Sequence, residues 1–180
     1  MKTKFRSVGE LISSRIVVCA LAFVAFGANT NAEPAQAEPL LGIEPSAILG
    51  FRDEYPALVS PPLRAAAKSL APNCLMVDEF ITREAKRGRI DSRLFTDEVR
   101  KIQLHGHCDQ KALASVEPTA QMLRLPRNYS VEIIPSGCCG MAGSFGYEKE
   151  RYEVSMKIGE LVLFPTVRQL ATDVLIAAPA

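Results

Sequence analysis

Between Ser136 and Gly146 the chain runs S-G-C-C-G-M-A-G-S-F-G, and upstream a short G-H-C occupies Gly106–Cys108. The adjacent Cys138 and Cys139 are poor disulfide partners for each other, because closing the bond across a single peptide strains its geometry. Thiolate ligation of a metal or cluster is the natural use for such a pair. The interspersed glycines support that use, since they let the backbone approach a ligand closely and turn successive N–H groups toward anionic sulfur. A tight turn with two buried thiols is the plainer alternative, as free cysteine is among the most buried residue types.

The histidines admit a second metal chemistry. His105 and His107 bracket Gly106, and either would complete a Cys₃His set with Cys108, Cys138 and Cys139 that suits structural zinc. No Cys-x-x-Cys spacing accompanies them, which weighs against zinc. His105 alone reads as a strand-end residue bonded to backbone. Cys74 lies in an apolar stretch and reads as core, while Cys19 sits in an N-terminal apolar run without evident chemistry. No nucleophile–base pair stands out, and no G-x-G-x-x-G loop follows a strand, so neither hydride chemistry nor a dinucleotide site is expected of this chain.

The elements that must position these residues alternate between strand and helix. Strands are predicted at Leu40–Ile43, Ile102–His105, Ser130–Ile134 and Val174–Ala178. Helices are predicted from Pro45 through Tyr55, over Leu63–Lys86 with a break or kink at Pro72 and a stop at Gly88, over Lys111–Leu125 with Pro118 inside, and over Arg151–Leu163. This alternation predicts an α/β fold, a parallel sheet layer flanked by helices. Sites in such layers form beyond the carboxyl ends of strands, so both cysteine loops should emerge on one sheet edge. A helix beginning beside either loop would lower a thiol's pKa.

Composition narrows the function classes. Across 180 residues, 21 Lys and Arg face 20 Asp and Glu with no basic block, which excludes an electrostatic nucleic-acid binder. Five cysteines, two of them adjacent, make no convincing disulfide framework and favour a reducing compartment. Residues 1–37 point the other way. Lys2, Lys4, Arg6 and Arg15, the apolar run Ile16–Ala28 and small residues at Thr30–Ala32 or Ala35–Ala37 form an export-like signal, too short to span a bilayer comfortably. The chain thus divides at about residue 37, with a single domain over 38–180.

From Leu40 onward the chain resembles the C-terminal part of FAD-linked oxidases fused to an iron–sulfur module. These are of the D-lactate or D-2-hydroxyacid dehydrogenase type, and their cysteine-rich CCG domain is shared with the glycolate oxidase iron–sulfur subunit and heterodisulfide reductase. The matching segments are G-I-E-P-S at Gly42–Ser46, F-R-D-E-Y-P-A-L at Phe51–Leu58, L-H-G-H-C-D-Q-K-A-L at Leu104–Leu113, G-C-C-G-M-A-G-S-F-G-Y-E-K-E at Gly137–Glu150, and S-M-K-I-G-E-L at Ser155–Leu161.

The resemblance implies an iron–sulfur electron-transfer module, with Cys108, Cys138 and Cys139 as cofactor and metal ligands. It places FAD in a companion flavin-containing dehydrogenase domain or subunit, implies a cytoplasmic address against the exported one suggested by residues 1–32, and leaves membrane association open. Three departures bear on the ligand set. Ala47 stands where the family has a cysteine after E-P-S, Asp109 where it has a second histidine, and the sequence stops after V-L-I-A-A-P-A, where the family continues into G-T-S-C-R. A cluster commonly takes four thiolates, so an incomplete set, a truncated or frameshifted gene and no activity from this chain alone are expected. The competing expectations are a cluster-free structural or interaction domain, a decayed gene product, and an exported zinc or thiol protein.

Overall fold

The structure, a computed structural model, describes residues 38–179. The export-like segment and Cys19 lie outside the described residues. These form two compact units: one comprises 38–43 and Ala47–Val77, the other Glu44–Ser46 and the chain from Asp78 onward.

The first unit is built on a two-stranded parallel sheet. Strands β1 (Leu40–Gly42) and β2 (Cys74–Met76) pair in the register Leu40 to Cys74. Helix α1 (Pro45–Gly50) starts with proline in its first turn, where the missing N–H costs nothing. Helices α2 (Tyr55–Leu58) and α3 (Arg64–Leu70) follow, separated by a 3₁₀ turn at Pro61–Leu63. Leu41, Ile48, Leu49, Ala67, Cys74 and Met76 form the buried core here. Cys74 is fully buried, as its apolar setting predicts, but on a strand. Pro72 does more than kink a helix: the chain leaves α3 through a 3₁₀ turn at Ala71–Asn73 and extends into β2. Arg52 secures that strand by donating from Nε to the Cys74 carbonyl at 2.6 Å. The helix predicted through Tyr55 likewise ends at Gly50.

The second unit carries a three-stranded parallel sheet in the order β4-β3-β5, with β3 at Arg100–Leu104, β4 at Tyr129–Ile133 and β5 at Val174–Ala177. Its helices are α4 (Val77–Lys86), α5 (Cys108–Leu113), α6 (Glu117–Leu123), α7 (Tyr152–Gly159) and α8 (Leu163–Gln169). Ile102, Leu104, Ala120 and Val131 form the core, with Val116, Leu123, Tyr129 and Ala177 packed around them. The parallel α/β character is as expected, in two sheets where one layer was predicted.

Two proline positions account for the differences in helix length. The helix predicted over Lys111–Leu125 divides into α5 and α6, with Pro118 in the first turn of α6. Beyond α7 the chain turns and begins α8, whose Pro165 also sits in the first turn, so the Arg151–Leu163 prediction covers only the first of two helices. Among the described residues no helix is long and apolar enough to cross a membrane.

Candidate functional site

The parallel register aligns Leu104 with Ile133 on one side and with Ala177 on the other, so β3, β4 and β5 end along one edge. Both cysteine loops leave from that edge, as the strand–helix alternation predicts. The ends are tied together by backbone bonds: Ile134 N–H donates to the Leu104 carbonyl at 2.8 Å, and His105 N–H donates to the Ala177 carbonyl at 2.9 Å. His105 therefore stands just past the strand end, although its ring partner is a side chain and not backbone. Its buried ring also faces Ser136, with Nδ1 2.7 Å from Oγ, which fixes the start of the second cysteine loop against the first.

The first loop is short because Gly106 allows it. A Cβ there would collide with the Val116 side chain, so only glycine lets the chain pass this close to the residue leading into α6. His107 then caps α5, its Nδ1 accepting from Asp109 N–H at 3.3 Å. Its Nε2 lies 3.9 Å from Glu44 Oε1, and its Nδ1 3.7 Å from Asp109 Oδ2. Cys108 is the first residue of α5.

The second loop runs from Ser136 through the cysteine pair to a 3₁₀ turn at Phe145–Tyr147. Gly140 takes φ +96°, and a Cβ on it would strike the Ser155 carbonyl of α7. In that conformation its N–H donates to Cys138 Sγ at 3.3 Å, the N–H-to-sulfur arrangement anticipated for a glycine-rich thiol loop. Buried Ser155 is a packing residue, as expected, and closes the loop from the α7 side.

Cys108, Cys138 and Cys139 are half-buried, free, and close enough to perturb one another. Burial pushes the Cys138 thiol up, but hydrogen bonds from Gly140 N–H, from the Cys108 and Cys139 thiols and from Cys139 N–H outweigh it and hold Cys138 below the ordinary thiol value. Cys108 moves the opposite way. Burial, the hydrogen bond to Cys138 and the neighbouring sulfur charges raise it, and Lys111 offsets this only in part. Although a short helix begins at Cys108, its thiol is raised overall where the sequence suggests a lowering. Of these two thiols Cys138 is thus the more acidic and Cys108 the less.

His105 is held below the ordinary histidine value by burial first and then by the positive charges of Lys111 and His107. A histidine kept neutral when folded but protonated when unfolded loses stability as pH falls through the unfolded value of 6.5 toward the lower folded one. Denaturation midpoints of the chain should therefore drop over that window, and His105→Asn should show a smaller drop. Equal pH dependence in both proteins would contradict this assignment.

Ala47 lies in α1, and among the described residues no group of three or more His, Cys, Asp or Glu is arranged to hold a metal ion. The residues that sequence reasoning passes over are Ser136, Lys111 and Gln110. Lys111 donates from Nζ to the carbonyls of both Ser136 and Gly137 at 2.7 Å. Gln110, fully buried, donates from Nε2 to Thr119 Oγ1 at 2.7 Å and to Asp78 Oδ2 at 3.2 Å, anchoring α5 from beneath. For Lys111 and Gln110 the available signal is their place within one turn of Cys108.

No protein-family model and no solved structure matches the chain. Curated relatives do. One subunit of the anaerobic glycerol-3-phosphate dehydrogenase of Escherichia coli K12 is 24% identical over 138 residues, which is 77% of this chain and 33% of that protein. The D-2-hydroxyglutarate dehydrogenase of Pantoea ananatis is 29% identical over 133 residues, 73% of this chain and 12% of that protein. Its counterpart in Escherichia coli K12 is 26% identical over 134 residues, again 12% of that protein. The homologues of this chain are thus dehydrogenases or their subunits, matched over one region of each, consistent with the C-terminal domain of an FAD-linked oxidase.

Proposed function

We propose that this chain is the electron-transfer module, or a remnant of one, of a flavin-linked 2-hydroxyacid dehydrogenase, with Cys108, Cys138 and Cys139 as its iron–sulfur ligands. The observation that carries the reading is the closeness of Cys108 to Cys138 and Cys139, from two loops on one sheet edge, although as placed they do not form a three-ligand metal group. Their chemistry suits a cluster in kind: thiolate donors, and a backbone N–H directed at one sulfur. It falls short in number, since three donors stand where four are usual. The residues described do not make a complete cluster site, so no electron-transfer step is drawn through one.

What the chain's own residues do is narrower. Gly140 N–H and the Cys108 thiol favour the anionic form of Cys138, and the two loops hold the sulfurs together. Oxidation of the substrate belongs to a flavin-containing companion domain or subunit. A reducing, cytoplasmic address is part of the same proposal, since five cysteines with two of them adjacent make no convincing disulfide framework.

Dye-linked oxidation of D-lactate, glycolate and D-2-hydroxyglutarate by the purified chain, with and without added FAD, tests the reading. No turnover above that of a Cys138→Ser, Cys139→Ser control is expected. Turnover clearly above that control would show that the chain holds its own redox catalyst and would overturn the partial-module reading.

A further inference from the structure

Lys111 occupies a place that the cluster reading does not by itself require. It lies on α5, three residues after Cys108, yet its ammonium reaches across to the other cysteine loop and bonds the two carbonyls directly before Cys138. A loop carbonyl with no strand partner needs a donor, and one ammonium, with three N–H groups, serves both of these. The stem is held as well: the space above Gly106 where a Cβ would point is filled by Lys111 Cε at 3.2 Å and by the Val116 side chain. The ammonium is half-buried and sits within the field of all three cysteine sulfurs.

We infer that Lys111 is a positioning residue that straps the Cys138–Cys139 loop to the helix bearing Cys108, and so sets whether thiols from the two loops can act on one ligand. This deepens the proposed function and rests on it only for what the thiols finally bind. The strap has a specific signature. Cys138 and Cys139 belong to one loop and stay together without it, whereas Cys108 and Cys138 come from different loops and need it. A charge-assisted hydrogen bond also depends on the cation, so arginine should replace lysine in part and methionine, of similar length, should not.

The test uses phenylarsine oxide, which condenses with two thiols to form two As–S bonds and releases the oxide oxygen as water, with no change in oxidation state. It is applied to the reduced full chain carrying Cys19→Ser. In a Cys139→Ser background, which leaves the inter-loop pair Cys108 and Cys138, Lys111→Met should weaken arsenical binding by about tenfold, the scale of one charge-assisted bond. In a Cys108→Ser background, which leaves the pair within one loop, the same substitution should leave binding unchanged, and Lys111→Arg should recover most of the inter-loop affinity. Equal losses in both backgrounds would mean general loosening, and no loss in either would mean no strap; each overturns the inference. Because the probe needs no iron, failure of the cluster reading leaves this result standing, and failure of the strap leaves iron uptake to be judged separately.

Discussion

Gly140→Ala is expected to destabilise the chain by about 3 kcal/mol, through backbone strain and overpacking together. The residue sits at φ +96°, where an L side chain pays a conformational cost, and its Cβ would drive into the Ser155 carbonyl, which belongs to helix α7 and cannot rotate away. Relief requires the loop to lift from α7, and that also withdraws the N–H that Gly140 gives to Cys138. Two observables should therefore move together: the thermal midpoint falls by roughly 6–12 °C on the usual scaling for this size, and Cys138 alkylates more slowly near neutral pH as its thiolate loses a donor. Gly137→Ala is the control. That glycine lies outside the left-handed region with open space where a Cβ would point, and its substitution should be nearly silent. Similar midpoints for the two variants would refute the account of the loop.

The second large effect is on metal uptake. Cys138→Ser is expected to reduce the iron retained after anaerobic reconstitution by about tenfold or more, because serine at neutral pH offers a neutral hydroxyl in place of a thiolate ligand. Cys138 is the position to choose, since its thiol is held below the ordinary value while that of Cys108 is held above it. Removing it takes away the more acidic thiol and also the partner that the Cys108 thiol hydrogen-bonds. Cys74→Ser should leave iron uptake unchanged, because that thiol is buried in the core of the other unit. Loss of iron in both variants would point to unfolding, and loss in neither would remove Cys138 from the ligand set.

Much of this site is legible in the residues themselves. The alternation of strands with helices is enough to put Gly106–Cys108 and Gly137–Gly140 past neighbouring strand ends, because parallel strands must all finish at the same edge. Local signals fail where proline has two meanings. The sequence reads one helix over Lys111–Leu125 with Pro118 inside it, yet Pro118 sits in the first turn of a second helix, where the missing N–H is not needed. Cys74-Leu75-Met76 reads as helix because Leu75 falls at helical spacing with Phe80 and Ile81, and only the parallel pairing with Leu40–Gly42 makes the segment a strand. The opposed shifts of Cys108 and Cys138 are also out of reach. They depend on which sulfur receives the Gly140 N–H, a fact of loop geometry that residue types do not encode.

The central claim is that three thiols from two loops form a ligand set that this chain alone leaves incomplete. Iron and acid-labile sulfide, measured per chain after anaerobic reconstitution and again after brief exposure to air and chelator, tests it most directly. The account predicts substoichiometric loading that is lost rapidly on exposure, because an open coordination position admits water and oxygen. A stable, fully occupied four-iron cluster in the isolated chain would contradict it.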